Sequence, residues 1–362
     1  MTVLTFRLGD IAEQITDGTH LSPNYVDCGI PMLDSKHIKN DFSIDDSDAE
    51  KFISIETDKL LAQRCKPIAG DILISSRGTI GKIAIVKDGQ NFNIMGNMIL
   101  VRLGTSIDKR YFLHYLSRSL EYLVSLARGV AQKGLYLNQV RDLVITIPPL
   151  AEQQRIAALL DTADRILRLR ESAIAKLEKL IRSYFDEIVL NSSNSVQLVE
   201  LGSVVELKYG KSLPSQNRRD GEFNVYGSNG VVGSHSESIT SGETIIVGRK
   251  GSFGEINLSF ESCFPIDTTY FIDINATKQN IVWLRYALET LKLNTLNKSA
   301  AVPGLNREDA YRQKLQLISL NLQNDFEMLT RKVWDLIKIQ NDFIHKHKRL
   351  IASIQHQSFA VN

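Results

Sequence analysis

From Ile156 onward the apolar residues fall at alternating steps of four and three. The series is Ile156, Leu160, Ala163, Leu167, Ile174, Leu177, Ile181, Tyr184 and Ile188, with Arg170 its one polar member. That alternation is a heptad seam, which marks a helix packing along another helix. Pro148-Pro149 stands just before it, and neither Gly nor Pro interrupts the run to Leu190. A proline suits a helix start, where the first amides have no partner, and Glu152 in the first turn complements the helix dipole. Acids precede bases by four at Asp161/Arg165, Asp164/Arg168 and Glu178/Arg182, which predicts a solvated outer face. At ~1.5 Å per residue, a helix from Leu150 to Leu190 is roughly 60 Å long. A second run, Leu322, Phe326, Leu329, Val333, Leu336, Gln340, Phe343, His347, Leu350 and Ile354, repeats the alternation with only Gln340 and His347 polar. Ser319 or Asn321 can cap its start. Matched length and phase predict that the two helices pair antiparallel; the alternative is that each seam docks on a different protein.

Before and between these helices the pattern changes to short β-like runs around Gly-bearing turns. Asp71-Ile72-Leu73-Ile74 and Ile83-Ala84-Ile85-Val86 read as strands flanking Arg77-Gly78-Thr79-Ile80-Gly81, and Asn97–Leu103 and Leu143–Ile147 as two more. Asp108–Arg128 reads as a helix capped by Asp108, with Phe112, Tyr115, Leu116 and Leu123 on its core face. The same order recurs about 170 residues on: Gly242-Glu243-Thr244-Ile245-Ile246 matches Gly70–Ile74, and Lys250-Gly251-Ser252-Phe253-Gly254 matches Arg77–Gly81. Trp283–Leu288 stands where Phe112–Leu116 stood, Leu305-Asn306 echoes Leu137-Asn138, and Leu201-Gly202 echoes Leu8-Gly9. Each echo is weak alone; their common order makes a repeat. The predicted fold is therefore α+β: two similar globular domains, 1–147 and 193–318, separated by two long antiparallel coiled-coil helices, 148–192 and 319–362. The internal repeat implies a pseudo-two-fold.

Composition adds limits. The 362 residues are 43% hydrophobic and 23% charged, ordinary for a soluble globular protein. The net charge of +2 does not announce a nucleic-acid partner, so any basic face must be local. Cys28, Cys65 and Cys263 are odd in number and far apart, which favours a reducing compartment over a disulfide framework. With no signal-peptide run and no apolar stretch of spanning length, a cytoplasmic protein without membrane contact is expected.

Two similar heads on a rigid spacer suit a ligand with two-fold character, and duplex DNA is such a ligand. The side chains between the repeated landmarks differ, so the heads would read different half-sites. The runner-up is a two-headed protein–protein scaffold. Here the residues also carry a likeness. The stretch Pro148-Pro149-Leu150-Ala151-Glu152-Gln153-Gln154-Arg155-Ile156 resembles the central region of the specificity subunit of Type I restriction–modification enzymes. Gly70–Gly81, its echo Gly242–Gly254, and Val302-Pro303-Gly304-Leu305-Asn306-Arg307 resemble the frame of that family's target-recognition domains. The start of the second helix, Leu322-Gln323-Asn324-Asp325-Phe326, lacks the double proline.

The resemblance implies a subunit that is non-catalytic by itself. Each target-recognition domain would read one half of a bipartite, asymmetric double-stranded DNA site, and the helices would set the spacer and dock two modification (methyltransferase) subunits. Those bring S-adenosylmethionine and adenine methylation; restriction (translocase/nuclease) subunits add ATP, Mg, translocation and cleavage. No cofactor is expected on this chain. A specificity subunit of a Type IIB-like enzyme is a close alternative.

Candidate DNA-binding residues follow from the loops. Arg77–Lys82 is too short for a Walker A loop, and its repeat has Glu255 where Lys82 stands, so nucleotide binding is not expected. The segment is either a plain tight turn, for which Gly permits unusual backbone angles, or a turn presenting Ser75, Ser76, Arg77, Thr79 and Lys82 to DNA. The second reading is preferred, with Arg249, Lys250 and Ser252 as counterparts. Thr16, Thr19 and His20 open a polar loop in the first domain. Lys211, Gln216, Arg218 and Arg219 form the densest basic and amide cluster of the second. Lys36, Lys133 and Lys298 are further phosphate candidates. Asp34-Ser35-Lys36 fits the acid-any-lysine core of nucleases, but no upstream acid supports it. No Asn-Pro-Pro-aromatic methylation signature is present. His345 and His347, two apart on a helix, face different ways and make poor joint metal ligands.

Overall fold

The computed structural model describes residues 4–126, 134–191, 197–296 and 304–359. The chain forms two compact units, Met1–Leu169 with Ile344–Asn362, and Arg170–Phe343.

In the first unit a four-stranded antiparallel sheet runs in the order Ala12–Asp17, Met98–Leu103, Ile72–Ser75, Ile83–Ile85. Ile72, Ile74, Ile99 and Val101 pack on one face with Phe112 and Leu116 of the helix Lys109–Arg118; Leu73 and Leu100 pack on the other with Leu33, Phe92 and Ile94. Burial on both faces explains why these strands read as unbroken apolar runs rather than alternations. A smaller sheet, in the order Tyr25–Val26, Phe52–Ile53, Ile30–Leu33, Asn93–Ile94, ends in a parallel pair. Asp108 caps the head helix by accepting from Tyr111 N at 2.8 Å. The helix expected to run to Arg128 instead breaks at Ser119 and resumes as Leu120–Leu126. There the Ser119 hydroxyl donates to Tyr115 O at 3.0 Å, the local competition that makes serine a poor helix-interior residue. Leu4–Arg7 pairs antiparallel with Val144–Ile147, clasping the two ends of the head just before the long helix Leu150–Asn191.

The second unit repeats this plan. Its main sheet runs Lys208–Tyr209, Thr269–Asp273, Thr244–Gly248, Ile256–Ser259. Its smaller sheet, Gly230–His235, Phe223–Gly227, Phe264–Pro265, also ends in a parallel pair. The head helix is Ile281–Thr290, capped by Asn280. Gln197–Glu200 pairs with Lys314–Leu317 as the clasp, and the long helix Leu320–Phe359 follows.

One glutamine joins head to helix in each unit. Gln153, 1% exposed, accepts from Asp108 N at 2.8 Å and donates to Pro148 O at 2.9 Å. Gln323, 0% exposed, accepts from Asn280 N at 2.9 Å and donates to Ile318 O at 2.9 Å. The second helix thus keeps the first helix's anchor without its double proline, with Ser319 O accepting from Gln323 N as Pro149 O accepts from Gln153 N.

In the first unit Ile156, Ala157 and Leu160 share a core with Ile351, Ile354 and Phe359; in the second, Ile181, Phe185 and Ile188 share one with Phe326 and Val333. The start of one helix lies against the end of the other, so the pair is antiparallel. Every expected seam position of the first helix is buried or half-buried. The second helix needs a correction: Phe326, Val333, Gln340, His347 and Ile354 face inward, but Leu336, Phe343 and Leu350 are exposed, and Thr330, Ile337, Ile344 and Ile351 take the alternate positions. Leu322 and Leu329 fit the expected phase where head and long helices share one core. Arg170, polar within its seam, donates to Gln340 at 2.7 Å and lies 4.5 Å from the Phe343 ring centre.

Charge also fixes each head on its helix, with opposite polarity. Asp161 of the first long helix accepts from Arg110 at 2.6 Å and His114 at 2.7 Å on the first head helix. Burial pushes the Asp161 carboxyl up, but the bonds from Arg110 and His114 outweigh it and hold the group below its ordinary value. In the second unit the helix supplies the cation: Arg331 donates to both Glu243 oxygens, at 2.6 and 2.7 Å. No helix among the described residues is long and apolar enough to cross a membrane.

Candidate nucleic-acid interface

Four segments converge at one end of the main sheet in each head. In the first head they are the loop after Ala12–Asp17, the turn after Ile72–Ser75, the connection before Met98, and Gly134–Asn138. Ser76 N donates to Asn97 O at 2.8 Å, Leu135 N to Ser76 O at 2.9 Å, and Gly96 N to Thr19 O at 2.7 Å. The segments enclose two adjoining clefts, of about 320 and 240 Å³, which share His20, Arg77 and Gly96 in their walls. His20 bonds Asp17 at 2.7 Å, and Asp17 also accepts from Arg64. The His20 ring lies on Gly96, where a Cβ would stand 2.4 Å from Nδ1, so a larger residue there would push the His20 ring out of its present place.

The turn itself is fixed by its backbone. Gly78 and Gly81 have φ of 73° and 88°, and Gly251 and Gly254 have 70° and 77° at the matched positions of the second head. Gly81 N donates to Ser75 O, as Gly254 N does to Gly248 O. Ser75 and Ser76 are buried: the Ser75 hydroxyl accepts from Lys82 N at 2.8 Å and donates to Thr79 O at 2.5 Å. Ser75 holds the turn rather than facing solvent, and Ser76, though it borders the larger cleft, is only 3% exposed, which differs from the expectation that the turn presents both. Arg77 and Thr79 are exposed at its tip, and Lys82 is half-buried with Nζ 3.4 Å from Ile38 O. Thr16 is half-buried on its strand, and the Thr19 hydroxyl donates to Leu21 O at 3.0 Å. Lys36 is exposed and pairs with Glu50 at 2.7 Å. Lys133 and Lys298 lie outside the described residues.

In the second head Lys211 N donates to Pro265 O at 3.1 Å, Arg249 N to Thr268 O at 2.9 Å, and Leu305 N to Arg249 O at 2.9 Å. This repeats the wiring of the first head and corrects one echo: Leu305-Asn306 corresponds to Leu135-Tyr136, two residues before Leu137-Asn138. Lys211, Lys250 and Ser252 are exposed. Arg218 is half-buried, donating to Val232 O at 2.6 Å, and Arg219 N donates to His235 Nδ1 at 3.0 Å, so this cluster borders the hairpin Phe223–His235. Gln216 is exposed in the short turn Ser215–Asn217. Arg249 donates to Asp267 O at 3.0 Å and lies 5.0 Å from the Tyr209 ring centre, with Arg307 at 5.1 Å from the same centre. Burial, then the neighbouring Tyr209, push the Tyr270 hydroxyl above its ordinary value; it stays protonated and donates to Leu305 O at 3.1 Å.

The structure therefore brings Thr19, His20 and Arg77 together in one head, and Lys211, Arg249 and Lys250 in the other. The residues that sequence reasoning missed are Asn97, Tyr136 and Asn138 in the first, and Tyr270 and Arg307 in the second. Aligning Leu305 with Leu135 would have placed Arg307 and Leu137 in equivalent walls.

Such a duplicated α+β chain, with one fold frame and two different sets of loop side chains, defines a two-headed recognition protein. A family described as the Type I restriction modification DNA specificity domain matches residues 2–179 and 194–344, and the chain belongs to that family, carrying two copies of its domain. It is 25% identical over 96% of its length, and 91% of the relative's, to a protein of Methanocaldococcus jannaschii named putative type I restriction enzyme MjaX specificity subunit. It is also 32% identical to the Escherichia coli type I restriction enzyme EcoBI specificity subunit, over 40% of this chain and 31% of that one. Among solved structures, the type I restriction–modification S subunit from M. genitalium matches with a TM-score of 0.69 at 17% identity, covering 100% of this chain and 97% of that one. A structure from work on assembly of the type I R-M system matches with a TM-score of 0.59 at 19% identity, covering 99% and 97%. At such identities these two speak for the fold alone.

Proposed function

We propose that this chain is the DNA-reading, non-catalytic subunit of a Type I restriction–modification complex, with each head reading one half of a bipartite double-stranded site. The observation that carries this is the pairing of one frame with two chemistries. The turns, bridges and buried glutamine anchors match position for position. At the matched positions stand Asp17, Ser76 and Leu137, which line the cleft of the first head, and Tyr209, Arg249 and Arg307 in the second. A scaffold presenting two copies of one surface would not need that difference. Arg77, Thr19 and His20, and Lys211, Arg249 and Lys250, are the groups proposed to meet bases and phosphates, since arginine forks and hydroxyls suit both.

In this reading the long helices set the spacer between half-sites and dock two modification subunits. S-adenosylmethionine belongs to those partners, ATP and Mg to restriction subunits, and the complex works in the cytoplasm. The test is selection from a random duplex library by the complex of this chain with its modification subunits, followed by sequencing of the retained DNA. The expected result is two short specified blocks separated by a gap of fixed length and free sequence. A single block, or no enrichment over the input, would overturn the proposal.

A further inference from the structure

We infer that Arg249 and Arg307, aligned by the ring of Tyr209, are the pair with which the second head reads guanines in its half-site; this rests on the DNA-reading role proposed above. Three observations carry it. First, both guanidiniums lie about 5 Å from the centre of one ring, at 5.0 and 5.1 Å, and that ring is 47% exposed. A guanidinium held against an aromatic face loses little further entropy when it binds. With Arg249 Nη1 bonded to Asp267 O and Arg307 Nε buried, the donors left for a ligand are Arg249 Nε and Nη2 and the two Nη groups of Arg307. Arg249 is steadied further by its bond to Asp267 O and by Tyr270 at 5.7 Å, and Arg307 by Tyr311 at 5.8 Å.

Second, the fold does not need this arrangement. The first head builds the same turn, bridge and short helix with Ser76, Leu137 and Asp17 at the equivalent places. Third, two cations share one ring and, among the described residues, neither forms an ion pair. Two like charges held at one ring, with no ion pair to either among the described residues, disfavour the free protein, and local conflicts of this kind mark ligand sites. The acceptor pair that fits an arginine fork is guanine O6 and N7 in the major groove. With both guanidiniums about one ring contact from Tyr209, and base pairs rising ~3.4 Å, the two guanines should lie within about three base pairs of each other.

The experiment is genome-wide mapping of methylated adenines in cells carrying the modification subunit with the full chain or its variants. In wild type, the half-site assigned to the second head should contain two guanines at that spacing. Arg307→Ala should relax one of them, reducing preference roughly ten- to hundredfold, while the other half-site is unchanged and reports that the chain is folded. Arg249→Ala should relax the other. Tyr209→Ala should weaken discrimination at both positions and Tyr209→Phe should preserve it, which separates a positioning ring from a structural one. If Arg307→Ala lowers methylation of every site equally with the motif intact, the arginine binds phosphate and the inference is wrong. It is equally wrong if that half-site lacks guanine pairs or the variant behaves as wild type. Wild-type methylation without any bipartite motif would instead overturn the DNA-reading role itself, and this inference with it.

Discussion

Gln153 and Gln323 show how a single residue ties recognition frame to spacer. Each is buried, accepts at its carbonyl from the amide of a head helix's cap residue, and donates from its amide to the carbonyl of the residue just after a clasp strand. Gln153→Ala would take their partner from the half-buried Asp108 N and the buried Pro148 O, a cost of about 1–3 kcal/mol. Chemical denaturation should show that loss, with Gln323→Ala matching it in the second unit. A surface glutamine such as Gln216, changed the same way, should cost nothing measurable. This residue pair was only half legible in the sequence. Gln153 stood inside the quoted helix start, but nothing in composition shows that its amide is the joint. Arg77 and His20 were legible because turn chemistry exposes them; the burial of Ser75 and Ser76 was not, because Ser75 turns its hydroxyl inward to Thr79 and Lys82 and the Ser76 backbone is held by distant Asn97 and Leu135.

At the scale of elements, the glycine turn after the central strand is the feature that both heads share most closely. Its two glycines do different work in the second head. Gly251 has φ 70° and open space around a Cβ, whereas at Gly254, with φ 77°, a Cβ would stand 2.2 Å from Asn294 N. Gly251→Ala should therefore cost only left-handed backbone strain, about 1–2 kcal/mol. Gly254→Ala adds a collision with backbone that cannot rotate away, so its thermal midpoint should fall further than that of Gly251→Ala. Equal losses would mean that the turn, not its contact with Leu293-Asn294, sets the requirement. The strands were readable because both faces of the sheet are buried. The seam of the second long helix was readable only in part. Leu322 and Leu329 pack on a core that the head shares with both long helices, and their phase, carried forward, misplaces Leu336, Phe343 and Leu350 by one residue. An apolar stripe records every surface a helix touches, not its partner helix alone.

For the whole molecule, the repeat was the strongest signal in the sequence, because order survives where individual side chains do not. What the sequence could not supply was the pairing of equivalent walls: a two-residue offset hid the match of Arg307 with Leu137, and only backbone bonds such as Leu135 N to Ser76 O and Leu305 N to Arg249 O reveal it. The central claim is that two independently specified heads read two halves of one site. Its most direct test replaces the second head, residues 197–317, with that of a relative, keeping both long helices, and maps methylated adenines in cells supplying the modification subunit. The account predicts a motif in which one half-site is new while the other half-site and the gap length are those of the parent. A motif changed in both halves, or unchanged in both, would contradict it.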